Sequence, residues 1–219
     1  MKNWAWLVAG LYALMFLVLT VPASLLAFAP QVGLKEGFSV YATWPFWLWL
    51  ASMFACQVAL LTVPVRVASL RPVTRGPVWR TILAGGLLAG GLVAGAIFSL
   101  CEFAFKDKGL SNPTTWTAVG LGMVTWCVWG VIFSRISRTT EPADLVTRQC
   151  QWLFKGSILE LLIAVPTHIV ARYRDYCCAG LLTFIGLTMG VSVMLISFGP
   201  AVLILVMARW KRLHPKQQE

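Results

Sequence analysis

Residues 81–101 read TILAGGLLAGGLVAGAIFSLC, and none of these 21 positions carries a charged side chain. As an α-helix this stretch would be about 31 Å long, which matches the hydrocarbon core of a bilayer. Apolar runs of similar length recur along the chain. We therefore predict an all-α fold, a polytopic transmembrane helical bundle. Its six spans are expected at residues 4–29, 44–65, 80–103, 114–134, 152–171 and 178–208.

The composition agrees with a membrane protein. Of the 219 residues, 58% are hydrophobic and 12% are charged, and lipid-facing helix positions can be as apolar as a protein core. No connection between the spans reaches the roughly 50 residues of a separate soluble domain. We therefore predict a single transmembrane domain over residues 1–219.

The N-terminal run resembles a signal peptide, because Lys2 precedes an apolar stretch that ends at Ala27-Phe28-Ala29. That stretch extends from Trp4 to about Ala29, whereas the apolar part of a signal peptide has roughly 7–15 residues. We therefore expect a retained first helix.

The basic residues flank the spans and account for the net charge of +10. This placement favours anionic lipid headgroups as partners, and no nucleic acid is expected. With six alternating spans, thirteen of the eighteen Lys and Arg residues fall on the side of both termini. The positive-inside rule then predicts that both termini are cytoplasmic, and a bacterial inner membrane is the expected location.

The fifth span contains Glu160, the one acidic residue that lies clearly inside a span. Ionisable groups in a membrane interior are costly and indicate a functional site. Helical spacing extends one polar face from this residue to the outer surface through these positions: Thr167, His168, Arg172 and Asp175. Glu160 either forms a structural hydrogen bond, with Gln57 of the second span as a candidate partner, or binds a proton or cation in a pathway. Pro166 leaves open a broken or re-entrant fifth span.

The segment after the fifth span is basic and rich in thiols. It holds Arg172 and Arg174, which could bind an anionic headgroup, an anionic solute or an acidic partner. Cys177 and Cys178 follow, and Cys101 ends the third span on the same predicted side. A disulfide from Cys101 to one of the pair, free thiols, and a soft-metal site are all open.

Glycines four residues apart occur in two spans and allow another helix backbone to approach closely. The pairs are Gly86 and Gly90, Gly91 and Gly95, and Gly186 and Gly190. They predict tight packing within one chain, and a homo-oligomer interface along the third span is the alternative.

The sequence contains no motif that indicates a particular reaction, which argues against an enzyme. Walker A, dinucleotide-binding and zinc-protease motifs are missing, and no haem, nucleotide or zinc motif is visible. The leading hypothesis is an oligomeric channel, transporter or sensor for a small solute or ion. The alternatives are a non-catalytic subunit or scaffold of a larger membrane complex, and an outer-face thiol redox or metal-handling protein.

Overall fold

A computed structural model describes residues 44–68, 75–104, 113–174 and 180–213, together with positions 10, 14 and 42. Within these ranges the long elements are all helices, and no strand occurs. They are α1 (Trp44–Ala68), α2 (Arg75–Ala104), α3 (Pro113–Ile136), α4 (Pro142–Arg172) and α5 (Leu181–Leu213).

Each of these five helices contains a stretch that is long and apolar enough to cross a membrane. The predicted all-helical class is therefore confirmed, with five helices apolar enough to span a membrane, and α1 to α5 correspond to the second to sixth predicted spans. The first predicted span lies outside the described residues apart from positions 10 and 14. The count of six spans and the cytoplasmic placement of both termini stay predictions.

Several helix boundaries differ from those expected from the sequence. α2 begins at Arg75 instead of residue 80, and α4 begins at Pro142 instead of residue 152. The apolar pattern marks only the part of a helix that lies in hydrocarbon, whereas the helix itself continues into the polar region. Pro142 suits the first turn of α4, because a helix leaves the N–H groups of that turn unpaired in any case.

α4 is one unbroken helix that passes through Pro166. Its 31 residues correspond to about 46 Å, which exceeds the thickness of a bilayer core. The broken or re-entrant alternative for the fifth span is therefore wrong for this structure.

α2 is the central helix and packs against each of the other four described helices. Its approach to α3 depends on glycines. An ideal Cβ at Gly90 would lie 2.6 Å from the carbonyl oxygen of Gly122, and one at Gly86 would lie 2.9 Å from the ring of Trp126. Trp126 Nε1 also donates to the Leu83 carbonyl across this contact, at 3.2 Å. The two backbones approach closely because these positions lack side chains.

The apolar core lies between α1, α2, α4 and α5. We call its buried residues the core cluster: Met53, Cys56, Leu60, Ala84, Leu88, Leu92, Leu153, Val193 and Ile196. α3 lies outside this core and packs mainly on α2.

Candidate functional site

One face of α4 is turned into the bundle. Its buried residues recur every three or four positions, as expected for one stripe of a helix: Leu145, Val146, Gln149, Cys150, Leu153, Ser157, Glu160, Ala164, Thr167 and Ala171. The Thr167 hydroxyl donates to the Ile163 carbonyl of its own helix at 2.7 Å. The buried stripe therefore places Glu160 inside the protein. Thr167 is also on this stripe, but its hydroxyl proton is bonded to a carbonyl of α4 itself.

Glu160 is 3% exposed, and both of its carboxylate oxygens are buried. Neither oxygen has a hydrogen-bond partner among the described residues. Gln57, the partner considered from the sequence, is also buried, but no hydrogen bond joins it to Glu160. Burying an ionised carboxylate costs several kcal/mol unless it is paired or hydrogen-bonded. A carboxylate with a purely structural role would be expected to have such partners, and Glu160 has none among the described residues.

Three glycines from two helices enclose this carboxyl group. An ideal Cβ at Gly95 of α2 would lie 3.2 Å from Glu160 Oε1, and one at Gly186 of α5 would lie 3.1 Å from the same atom. An ideal Cβ at Gly190 would collide with Glu160 Oε2. We call Gly95, Gly186 and Gly190 the glycine notch. The notch accommodates the carboxyl group only because its members have no side chains.

Ser99 lies beside the glycine notch and was not singled out in the sequence. Its buried hydroxyl donates to the Gly95 carbonyl at 3.0 Å. An ideal Cβ at Gly186 would touch Ser99 Oγ as well as Glu160 Oε1, so both oxygens lie close to the same point on α5. One feature of the sequence could have predicted this position: Ser99 follows Gly95 by four residues and therefore lies on the same face of α2.

A second buried carboxyl group joins α2 to the beginning of α5. Glu102 is 4% exposed, and its oxygens accept hydrogen bonds from the backbone N–H groups of Gly180 at 2.5 Å and Thr183 at 2.7 Å. Gly180 directly precedes α5 and Thr183 lies in its first turn, and at a helix N-terminus the unpaired N–H groups and the helix dipole favour negative charge. Glu102 lies at the end of the third predicted span and was not singled out in the sequence.

His168 completes this group of residues. Its Nδ1 lies 2.9 Å from the Thr183 hydroxyl, which is also 3.1 Å from the Gly180 carbonyl. A hydroxyl has one proton, so if Thr183 donates it to Gly180, then Nδ1 of His168 is the donor to Thr183. We call Glu102, His168 and Thr183 the outer-end cluster. It lies where α4 leads into α5, the end that the sequence predicts to be outside.

Arg174 fixes the end of α2. Its two terminal nitrogens donate to the carbonyl oxygens of Glu102 at 2.7 Å and Phe103 at 2.8 Å, and its guanidinium lies 5.5 Å from the centre of the Phe103 ring. These bonds satisfy carbonyls that a helix end leaves unpaired. Arg172 is half-buried, and its Cδ lies near Gly180. The structure thus brings both predicted arginines to the outer-end cluster.

The structure describes only part of the predicted thiol cluster, which consists of Cys101, Cys177 and Cys178. Asp175, Cys177 and Cys178 lie outside the described residues. Cys101 is half-buried in α2 and forms no disulfide with the other described cysteines. Within the described ranges, no group of three or more His, Cys, Asp or Glu side chains could hold a metal ion.

A groove of about 230 Å³ lies between α2, α3 and α4. Apolar side chains form most of its wall, and Glu160 contributes to the inner side. Trp129 and Trp152 also line it, and their rings are 5.3 Å apart in an edge-to-face arrangement. Glu160 thus lies between this groove and the glycine notch, which holds its carboxyl group.

No protein-family model, curated protein or solved structure matches this chain. Its function must therefore be argued from the geometry of the site.

Proposed function

We propose that this multipass membrane protein transports or senses a small solute or ion, and that the activity depends on Glu160. The observation that carries the proposal is a buried carboxyl group with no hydrogen-bond partner among the described residues. Buried polar groups in proteins are nearly always hydrogen-bonded, and those that are not call for an explanation.

Glu102 provides an internal comparison. Both carboxyl groups are almost fully buried, but two backbone N–H groups bind Glu102, as expected for a structural role. Glu160 is instead packed against glycine backbone. A carboxyl group in that environment can take up and release a proton or cation without breaking fixed hydrogen bonds.

A change of charge at Glu160 would also act on three helices at once. Its carboxyl group belongs to α4 and contacts Gly95 of α2 and Gly186 and Gly190 of α5. Because the cost of burying the group depends on its charge, protonation favours whichever helix arrangement buries the neutral form best. This is the physical link between ion binding and conformational change in the proposal.

Measuring ion flux in proteoliposomes tests the proposal. H⁺, Na⁺ and K⁺ gradients are imposed in turn, and flux is compared for the wild type, Glu160→Gln and Glu141→Gln. Glu141 is the matched control, because it is an exposed carboxyl group before the first turn of α4. We expect Glu160→Gln to abolish the flux or its pH dependence and Glu141→Gln to leave it unchanged.

Infrared difference spectroscopy provides a readout that does not require a known solute. The carboxyl band of Glu160, assigned by its loss in Glu160→Gln, should change reversibly as the pH is varied. A band that never changes, together with unaltered flux in Glu160→Gln, would remove the basis of the proposal.

The second candidate is a subunit or scaffold of a larger membrane complex. The observation in its favour is the groove between α2, α3 and α4, whose aromatic wall could receive a helix of a partner. Both glycine faces of α2 contact helices of the same chain, so association between copies would need another surface, such as the exposed side of α3. Native mass spectrometry from the native membrane separates a homo-oligomer from a complex with a second polypeptide.

A further inference from the structure

The surroundings of Glu160 are polar toward one end of the bundle. Along α2, Ser99 follows Gly95 by one turn, and Glu102 follows Ser99 by nearly another. Along α5, Thr183 precedes Gly186 by three residues. At 1.5 Å per residue, the outer-end cluster lies about 5–10 Å from the glycine notch along these helices.

Toward the other end the interior of the bundle holds apolar side chains and uncharged polar ones, Thr81 and Gln149 among them. On the side away from the outer-end cluster, the core cluster begins within one helical turn of the notch. Leu92 precedes Gly95 by three residues on α2, and Val193 follows Gly190 by three residues on α5. The first charged residue in that direction on α2 is Arg80, about 22 Å from Gly95 along the helix. The buried serines on this side donate to carbonyls of their own helices: Ser157, Ser192 and Ser197.

The titratable groups around the notch show the same asymmetry within the described parts of the chain. Glu102 of α2 and His168 and Arg172 of α4 all lie toward the outer end. On the other side, α1 contributes the thiol of Cys56 within the core cluster, and Lys155 of α4 is exposed on the surface of the bundle. α5 has no titratable side chain from Leu181 to residue 199.

We infer that the ion exchanged at Glu160 is the proton, and that it enters from the outer end through the outer-end cluster and Ser99. This inference rests on the function proposed above, and it adds the identity of the ion and the side of access. Ser99 is a positioning residue in this route, because it lies between Glu102 and Gly95 along α2 and its hydroxyl approaches the same point of α5 as Glu160 Oε1.

The size of the glycine notch favours a proton over a metal cation. The notch positions approach the carboxyl oxygens closely, and the Ser99 hydroxyl and the Gly95 carbonyl also lie beside the Gly186 position. Hard metal cations require about six or more oxygen ligands around an open centre. A proton requires one oxygen.

The route conserves protons at each step. In each passage the Ser99 hydroxyl turns from the Gly95 carbonyl toward Glu160 and gives it its proton, while Ser99 Oγ accepts a proton from the outer-end side, so the serine is unchanged afterwards. Serine, threonine and neutral histidine can each donate and accept a hydrogen bond, which such a relay requires.

Carbodiimide labelling of Glu160 in vesicles of one orientation tests the inference. Dicyclohexylcarbodiimide reacts with protonated carboxyl groups, and mass spectrometry reads the extent of labelling. The pH is changed on one side of the membrane while the other side is held constant. We expect the labelling rate to rise as the pH falls at the end where α4 leads into α5, and not to respond to the other side.

Two serine variants provide a matched comparison. Ser99→Ala should slow the response of labelling to outer-end pH, whereas Ser197→Ala should leave it unchanged. Both serines are buried and donate to a carbonyl of their own helix, but Ser197 lies beyond the notch on the side away from the outer-end cluster. Circular dichroism confirms that each variant is folded.

The remaining outcomes separate this inference from the proposed function. Labelling that follows the pH of the opposite side, or a Ser99→Ala response equal to the wild type, overturns the route. Protection by Na⁺ or K⁺ at constant pH overturns the assignment to protons. Labelling that ignores pH on both sides, together with unaltered flux in Glu160→Gln, overturns the proposed function itself.

Discussion

Replacing Gly190 by alanine should destabilise the bundle, although alanine is favoured over glycine in most helices. The alanine Cβ would collide with Glu160 Oε2 and lie 2.9 Å from the side chain of Leu161. Forcing an extra methyl group into a packed interior typically costs about 1–3 kcal/mol. The gain in helix propensity offsets this by up to about 1 kcal/mol.

Gly120→Ala isolates the cost of the collision. An ideal Cβ at Gly120 meets no atom within 4 Å, so this variant receives the propensity gain alone. The two variants should therefore differ in their free energy of unfolding by about 1–3 kcal/mol, with Gly190→Ala the less stable. Unfolding in mixed micelles of mild detergent and SDS, followed by circular dichroism, measures the difference.

A double-mutant cycle with Glu160→Ala identifies the colliding atom. Removing the carboxyl group should recover most of the stability lost in Gly190→Ala, because only the flexible Leu161 side chain then opposes the new methyl group. Equal stabilities for Gly190→Ala and Gly120→Ala would refute the glycine notch. So would the same loss at Gly190 with and without the carboxyl group.

Three further predictions use the same preparation. Glu102→Ala should lower the free energy of unfolding by about 1–3 kcal/mol, because two buried N–H groups lose their acceptor; a stability equal to the wild type would contradict the contact. Gly90→Ala should lower it by about 1–3 kcal/mol through its clash with the Gly122 carbonyl, and a neutral effect would show that α2 and α3 separate freely. N-ethylmaleimide should leave Cys150 unmodified in the folded bundle and modify it once SDS unfolds the protein, as read by mass spectrometry, because its thiol is buried; modification in the folded bundle would contradict that burial.

The fold class could be predicted because charge-free runs of about 20 residues leave few alternatives in a membrane. Helix ends were harder, as the early starts of α2 and α4 show. Outside the hydrocarbon, polar residues continue a helix without any change in the apolar pattern. Pro166 suggested a break that does not occur in α4, because a membrane helix can tolerate a proline when neighbouring groups accommodate it.

The site could be predicted only in pieces. Glu160 and the glycine pairs were visible as separate features of the sequence, but their meeting depends on how three helices are rotated against one another. The contact between Glu102 and Gly180 joins residues that are 78 positions apart, and no local pattern announces it. Gln57 was a reasonable partner by residue type and burial, yet no hydrogen bond reaches Glu160 from it.

The dependence of both acidic sites on α5 has a consequence for biosynthesis. α5 is made after the other four described helices. It supplies two members of the glycine notch, and the N–H donors to Glu102 come from Thr183 of α5 and from Gly180 directly before it. Until the ribosome has delivered it, the growing chain holds two membrane-embedded acids that lack their final surroundings. Docking of α5 therefore completes the fold and the site in the same step, and a chain stalled before it would present both acids to the quality-control machinery of the membrane.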